Sequence, residues 1–222
     1  PDHPSIEETE LASRDVIQNC IYGVDINPMA IELCKLALWM ETLTPGQPLN
    51  FLDHRLKVGN SLIDVTPELI AAGIPDDAYR ATDDDDKDTV RSWKTLNKAA
   101  RAGQATLDFE PSTTSTDIVA TWRTISQLPE TNLEEVRYKA AEITQAKNRD
   151  HRSQAANLWC AAFLAPKTPT TPPILSDSMH RPTPELEHVE TQCVDTYQPF
   201  HWHFEFPEIF EPVDPNQTAG FD

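Results

Sequence analysis

Glycine is scarce in this sequence, and the few glycines are far apart. Six of the 222 residues are glycine, and no two of them are near neighbours. Loops that bind nucleotide phosphates need several glycines within a few positions, as in G-x-G-x-x-G and the P-loop. The sequence therefore contains neither loop, and we expect the glycine-rich turn of any nucleoside pocket to lie before Pro1.

Basic residues are also few. The chain has 18 Lys and Arg against 36 Asp and Glu, which gives a formal net charge of −18. Because affinity for DNA rests largely on neutralising phosphates, these residues alone are a poor candidate for a DNA-gripping surface. A basic groove would have to come from a neighbouring domain.

Long apolar runs and paired cysteines are missing as well. No apolar run approaches the roughly 20 residues that a membrane helix needs, and the start, PDHPSIEETE, has no signal-peptide pattern. The cysteines include no C-x-x-C pair, and the positions of Cys20 and Cys34 favour buried free thiols in a reducing compartment. We therefore predict a soluble, cytoplasmic protein with no membrane partner.

Residues 20–63 have the pattern of a strand–helix–strand unit. An apolar strand over 20–26 contains Asp25, Asn27 is a suitable helix N-cap, and Pro28 suits the first helical turn. Apolar residues then recur at helical spacing as far as Leu43, and a second strand is predicted over 54–63. Such units are almost always right-handed and parallel, so the sequence predicts an α/β fold.

The strand–helix–strand unit belongs to a first predicted segment, residues 1–63, and the residues after it divide into three more. Residues 64–165 are a helical insertion, whose Trp93, Trp122 and Trp159 are expected in its core. Residues 166–199 are rich in Pro and Thr and are predicted to be an irregular linker. Residues 200–222 are aromatic and predicted to be strand-like or turn-rich.

Polar side chains follow both predicted strands at the edge where parallel sheets bind ligands. Asp25 could accept hydrogen bonds from both hydroxyls of a ribose, or it could simply favour the following helix N-terminus. Asn60 could accept from an adenine amine, or Gly59–Asn60 could be an ordinary turn. Ile26 could cover the face of an adenine or belong to the core. Together they predict half of a nucleoside pocket.

Two further clusters could suggest a metal. On a strand, His201, His203 and Glu205 would share one face, but an aromatic packing segment is the favoured interpretation. The acidic run Asp83–Asp86 has no glycine and no calcium-loop spacing, so a solvated helix start is favoured. We therefore predict no metal site.

Three blocks in order resemble a known family. The blocks IYGVDINPMAIELCKLALWMETL, PLNFLDHRLKVGNSLI and FHWHFEFPEIF with GFD are similar to those of large adenine-specific DNA methyltransferases, the Eco57I-like and DISARM-type modification enzymes. The similarity covers residues 16–63 and 199–222. It implies a Rossmann-like class I fold that transfers methyl from S-adenosylmethionine to the N6 amine of adenine in DNA, in restriction-modification or phage defence.

The resemblance also implies roles for particular residues. Asp25 would bind the ribose hydroxyls of S-adenosylmethionine and Ile26 would lie beside its adenine. Asn60, where many relatives have Asp, would bind the adenine edge, and Ser61 and Leu62 belong to the same cofactor-binding segment.

The catalytic Asn-Pro-Pro-aromatic motif of that family would lie just beyond Asp222. We therefore expect a fragment lying between the glycine-rich turn and that motif, with no catalytic residue of its own and no activity in isolation. DNA would be bound through the rest of the parent protein, and other restriction or defence subunits are possible partners.

Two alternatives remain open from the sequence. The chain could be a non-catalytic module that docks a basic partner through its acidic helical insertion. It could also belong to an NAD-dependent oxidoreductase, because an acid at this strand end serves the ribose of NAD equally well.

Overall fold

A computed structural model describes residues 5–41, 52–104, 114–130, 132–149, 152–210 and 220–221. The chain divides into two compact units. The first comprises Pro1–Asn60 and Thr116–Arg149, and the second comprises Ser61–Ser115 and Asp150–Asp222. No helix within the described ranges is both long enough and apolar enough to cross a membrane.

The described elements are ten helices, two strands and two 3-10 turns. In chain order they are α1 (Ile6–Cys20), β1 (Gly23–Asp25), α2 (Pro28–Glu41), β2 (Leu56–Val58), α3 (Pro67–Ala72), a 3-10 turn (Asp76–Tyr79), α4 (Lys87–Gln104), α5 (Thr114–Ser126), α6 (Leu133–Arg149), α7 (Arg152–Leu164), a 3-10 turn (Ser178–His180), α8 (Pro184–Tyr197), α9 (Trp202–Glu205) and α10 (Pro207–Phe210).

The predicted parallel pairing of two strands joined by a helix is present in the first unit. β1 and β2 run parallel, with Gly23 opposite Leu56 and Asp25 opposite Val58. The amide of Gly23 also donates to the carbonyl of Arg55 at 2.9 Å, which extends the ladder by one bond. The two strands therefore end side by side at the same edge.

Both strands are shorter than the sequence predicts. Each has three residues, where strands over 20–26 and 54–63 were expected. Within the described residues the sheet has these two strands only. The apolar residues on either side of each strand therefore have no third strand with which to extend the pairing. The described structure is thus mostly helical with a small parallel sheet, which is compatible with the predicted α/β class.

Among the described residues, two small apolar clusters stabilise the first unit. Ile17 of α1, Ile31 of α2 and Leu56 of β2 pack together with Leu52, and all four are buried. This cluster fixes α2 against the strand pair.

The second cluster joins α5 to α6. It contains Trp122, Ile125, Ile143 and Ala146. The ammonium of Lys57, in the middle of β2, lies 5.7 Å from the centre of the Trp122 ring. A cation at this distance from an aromatic face is attracted to it, which links β2 to the second cluster.

The core of the second unit surrounds α7. Ala156, Leu158 and Ala161 of this helix are fully buried, and the small side chains of the two alanines leave room for neighbouring helices. Trp93 is 5% exposed in this core and Trp159 packs at its margin. With Trp122 buried in the first unit, Trp93 and Trp122 are core residues as predicted, whereas Trp159 is only partly buried.

A buried asparagine ties three segments of the second unit together. Asn97 of α4 is 0% exposed. Its amide nitrogen donates to the carbonyl of Ile74 at 2.7 Å, and its Oδ1 accepts from the backbone N–H and the hydroxyl of Ser176 at 2.9 and 2.8 Å. The Ser176 hydroxyl oxygen accepts in turn from the amide of Ile74 at 2.9 Å. This closed set of bonds is called the Asn97 network below.

Gly73 ends α3 beside this network with a φ of +78°, and an added Cβ would lie 2.8 Å from the Ser176 hydroxyl oxygen. We expect Gly73→Ala to lower the free energy of unfolding by about 1–3 kcal/mol, because both the left-handed backbone and the close contact penalise a side chain. Chemical denaturation measures this. Gly220→Ala is the control: φ is +117° there but no atom lies within 4 Å of the added Cβ, so a smaller loss is expected, and equal losses would contradict the contact argument.

The predicted linker contains a helix. Residues 184–197 form α8, within the stretch 166–199 that was expected to be irregular. Pro184 occupies the first turn, and Leu186, Val189 and Cys193 recur at helical spacing and are buried in the core. The prediction of an irregular segment was wrong here. It was based on the Pro and Thr content of the whole stretch, which outweighed the short apolar pattern at its end.

Residues 202–210 are helical rather than strand-like. The amides of Phe204 and Glu205 both donate to the carbonyl of His201, at 3.0 and 2.8 Å, which begins α9. Pro207 then starts α10. The aromatic alternation suggested a strand, but these rings pack on one another around short helical turns.

The cysteines are only partly buried, contrary to the sequence-based prediction. All four are free thiols. Cys20 is exposed at the end of α1, where the chain leaves the helix, and Cys34 is half-buried. Burial raises the pKa of Cys160 to about 12 and that of Cys193 to about 11, so both stay protonated near neutral pH.

Candidate functional site

The carboxyl edge of the strand pair brings the two predicted polar positions together. Asp25 is the last residue of β1 and lies opposite Val58, the last residue of β2. The carbonyl of Asp25 accepts from the amide of Gly59 at 3.0 Å. Asn60 therefore follows directly after a residue bonded to Asp25, as the parallel arrangement predicts.

The Asp25 carboxylate is exposed, and one of its two oxygens accepts a hydrogen bond from the described residues. Its Oδ1 accepts from the amide of Asn27 at 2.7 Å, and its Oδ2 accepts no hydrogen bond from the described residues. Because an ionised carboxylate has four lone-pair sites, this side chain keeps capacity for two further donors. It can therefore receive two neighbouring hydroxyl groups.

The sharp turn after β1 has a local cause. Oδ1 of Asn27 accepts from the amide of Met29 at 3.0 Å, and the Asn27 carbonyl accepts from Ala30 at 3.0 Å. Pro28 opens α2, so the predicted N-cap at Asn27 and Pro at the first helical position are confirmed. Asp25 supports this turn through one oxygen, as the capping interpretation expected, while Oδ2 stays available.

Apolar side chains surround the acid at this edge. Ile26 is 52% exposed and Met29 is 63% exposed. Val58, at the end of β2, is also exposed, whereas Asn60 is half-buried. A carboxylate flanked by exposed apolar groups can bind a ligand with one polar part and one flat apolar part, which describes a nucleoside.

Ser61 and Leu62, the other two predicted cofactor-binding residues, belong to the second unit. The carbonyl of Ser61 accepts from the indole Nε1 of Trp202 at 3.4 Å. The side chain of Leu62 is 93% exposed. Of the five predicted site residues, Asp25, Ile26 and Asn60 therefore lie in the first unit.

The two clusters that could suggest a metal have structural roles. His201, His203 and Glu205 lie on or beside a helical turn, where residues two apart point in different directions. Across the described part of the chain, no three His, Cys, Asp or Glu side chains are grouped so that they could hold a metal ion.

In the acidic run before α4, the side chain of Asp85 is buried and the other three acids are exposed. Asp83 and Asp84 are exposed, but Asp85 accepts from the amide of Lys167 at 2.7 Å and from that of Thr82 at 2.9 Å. Burial pushes the pKa of Asp85 upward, yet these hydrogen bonds outweigh it and hold the pKa below its usual value. Asp86 accepts from the amide of Thr89 at 2.7 Å and so supports the start of α4.

Sequence reasoning missed the contacts of residues 200–202. His201 and Trp202 lie against the segment that contains Ser61 and Leu62, although Trp202 and Ser61 are 141 positions apart in the chain. The dense aromatic composition of residues 200–210 indicated packing, but no local pattern indicated the partner.

Comparison with known proteins gives one match. A family model described as Eco57I restriction-modification methylase matches residues 19–222. No curated protein and no solved structure matches the chain. The matched range includes the strand pair, the turn at Asn27 and all five predicted cofactor-binding residues.

Proposed function

Since the chain belongs to the Eco57I restriction-modification methylase family, we propose that it takes part in methyl transfer from S-adenosylmethionine to the N6 amine of adenine in DNA. Membership of this family supports DNA methylation as the general activity. The methyl donor, the adenine target and the Rossmann-like class I fold around the strand pair are our proposal.

The exposed carboxylate of Asp25 carries the proposal. It ends β1 at the ligand-binding edge of a parallel pair, and its Oδ2 has no hydrogen bond to the described residues. In this proposal the two carboxylate oxygens accept from the two ribose hydroxyls of the cofactor, while Oδ1 keeps its bond to Asn27. Charge-assisted bonds of this kind are roughly twice as strong as neutral ones.

The residues proposed for the adenine of the cofactor complement this acid. Ile26 is exposed immediately after Asp25 and offers an apolar surface to the ring. Asn60 offers an amide oxygen that accepts from the adenine amine, and Ser61 and Leu62 continue the same segment. An apolar contact on one side and an amide on the edge suit a purine base.

The proposed mechanism gives these residues the task of binding and orientation. S-adenosylmethionine, when bound, supplies a methyl group on a positively charged sulfur. Asp25 fixes the ribose, and Ile26 and Asn60 fix the adenine, so that the methyl group is held in one place for an in-line approach. The target adenine must leave the DNA stack to reach such a site.

Methyl transfer by the full-length gene product tests the proposal. The protein is incubated with S-adenosylmethionine carrying a labelled methyl group and unmethylated DNA of mixed sequence, and the DNA is then digested to nucleosides. Label in N6-methyldeoxyadenosine supports the proposal. Label in cytosine would overturn the adenine assignment, and absence of label with folded protein would overturn the activity. Competition with NAD provides the control, since it should not displace S-adenosylmethionine.

The charge of the chain bears on how DNA is bound. With a net charge of −18, these residues do not offer the cationic surface that phosphates require. We therefore propose that DNA contacts come chiefly from other parts of the full-length protein or from other defence-system subunits. The same proposal places the enzyme in the cytoplasm, marking host DNA in restriction-modification or phage defence.

A further inference from the structure

Two distant segments of the second unit are held together by hydrogen bonds. The amide of Phe200 donates to the carbonyl of Ile63 at 2.9 Å. The indole Nε1 of Trp202 donates to the carbonyl of Ser61 at 3.4 Å. The bonded carbonyls belong to Ser61, one of the predicted cofactor-binding residues, and to Ile63, which follows Leu62. Residues 61–63 are called the cofactor segment below, and residues 200–202 are called the clamp.

The middle residue of the clamp is anchored in the core. His201 is 3% exposed, and its Nε2 lies 3.0 Å from Oδ1 of Asn157 in α7. Asn157 donates in turn to Glu190 of α8 at 2.7 Å. The other ring nitrogen, Nδ1, lies 3.5 Å from the carboxylate of Asp64. His201 thus connects Asp64, which directly follows the cofactor segment, to helices α7 and α8.

Trp202 reaches in a second direction. Its ring lies edge-on to that of Phe221, with centroids 5.8 Å apart, and near Phe206 at 5.9 Å. The amide of Gly220 donates to the carbonyl of Ile209 in α10 at 3.2 Å. One indole therefore contacts the carbonyl of Ser61 through its N–H and the ring of Phe221 through its own ring.

We propose that the clamp positions the cofactor segment for binding S-adenosylmethionine, with Trp202 and His201 as positioning residues. This inference rests on the proposed function. Leu62 projects into solvent between the two bonded carbonyls, with 93% of its surface exposed. A segment already held at Ser61 and Ile63 loses less conformational freedom when a ligand binds, so the clamp increases affinity for the cofactor without contacting it.

Trp202→Phe in the full-length gene product is the first test. Phenylalanine keeps an aromatic ring against Phe221 but removes the N–H that donates to Ser61. We expect the KM for S-adenosylmethionine to rise about three- to tenfold, the effect of one lost hydrogen bond, with kcat and the KM for DNA changed less than about twofold. Steady-state methylation assays measure all three.

Trp159→Phe is the matched control. The indole Nε1 of Trp159 donates to the carbonyl of Gly73 at 3.3 Å, so the same chemical group is lost in the same unit. This variant is expected to lower thermal stability as much as Trp202→Phe while leaving the KM for S-adenosylmethionine unchanged. An equal rise in that KM in both variants would show a general loss of stability and would overturn the clamp.

A pair of His201 variants tests the same inference independently of Trp202. His201→Gln can keep the bond to Asn157 and loses the group that faces Asp64, whereas His201→Asn can keep the group near Asp64 and loses the bond to Asn157. If the clamp acts through the cofactor segment, the KM for S-adenosylmethionine rises more in His201→Gln than in His201→Asn. The reverse order, or equal values, would contradict it.

The experiments separate the inference from the function on which it rests. Wild-type protein that methylates adenine, together with Trp202→Phe of unchanged KM, overturns the clamp and leaves the proposed function intact. Folded wild-type protein that transfers no methyl group overturns both. Circular dichroism and melting temperature identify a variant that fails to fold. If Trp202→Phe does not fold, the comparison of His201→Gln with His201→Asn tests the clamp instead.

Discussion

Asp25→Ala is expected to weaken binding of S-adenosylmethionine to the full-length gene product about 10- to 100-fold, because hydrogen bonds to a charged group contribute roughly 1.5–3 kcal/mol. The exposed carboxylate at the end of β1 is the group proposed to accept from both ribose hydroxyls. Isothermal titration with S-adenosylmethionine measures the dissociation constant directly. An affinity within twofold of wild type would show that this acid does not bind the ribose.

Two control variants separate binding from local folding. Asp25→Asn keeps an oxygen that can accept from the Asn27 amide, which lies 2.7 Å from Oδ1 in the wild type. Because the variant loses the charge, we expect its affinity for S-adenosylmethionine to lie between those of wild type and Asp25→Ala. Asn27→Ala removes the cap that accepts from Met29 and leaves the Asp25 carboxylate in place. It should cost about 1 kcal/mol of stability with little change in affinity.

Asn97→Ala is expected to lower the free energy of unfolding of the second unit by about 3–5 kcal/mol. The substitution leaves the carbonyl of Ile74 and the amide of Ser176 without their Asn97 partners in a fully buried site. Each buried polar group that loses its partner costs about 1–3 kcal/mol. Urea denaturation followed by circular dichroism measures the change.

The control for this prediction lies on the same helix. Thr95 is exposed, and its hydroxyl donates to the carbonyl of Arg91 at 3.0 Å. Thr95→Ala should change stability by less than about 0.5 kcal/mol, as surface substitutions usually do. A loss below 1 kcal/mol in Asn97→Ala would mean that the network is replaced by water or by rearrangement.

The features predicted correctly from sequence are those with local causes. The turn at Asn27 depends on an N-cap and a following proline within a few residues, and such chemistry can be read from a short window. The parallel pairing of β1 and β2 follows from the general handedness of strand–helix–strand units. The edge that carries Asp25 and Asn60 was therefore predictable.

The features missed depend on residues far apart in the chain. The bond between Trp202 and Ser61 spans 141 positions and that between Lys167 and Asp85 spans 82. No local pattern shows which of four consecutive acids will be buried, or which carbonyl an indole will reach. Helix α8 was missed for a different reason, because its apolar positions follow a long stretch rich in Pro and Thr.

The uneven environment of the thiols has a practical consequence. Cys20 is exposed, whereas Cys160 and Cys193 are buried and their raised pKa values keep them in the unreactive thiol form. At neutral pH a maleimide dye should therefore attach first at Cys20, five residues before Asp25. A fluorophore at Cys20 would lie just before β1, so a change in its emission on adding S-adenosylmethionine would test the proposed binding site without any substitution in the protein.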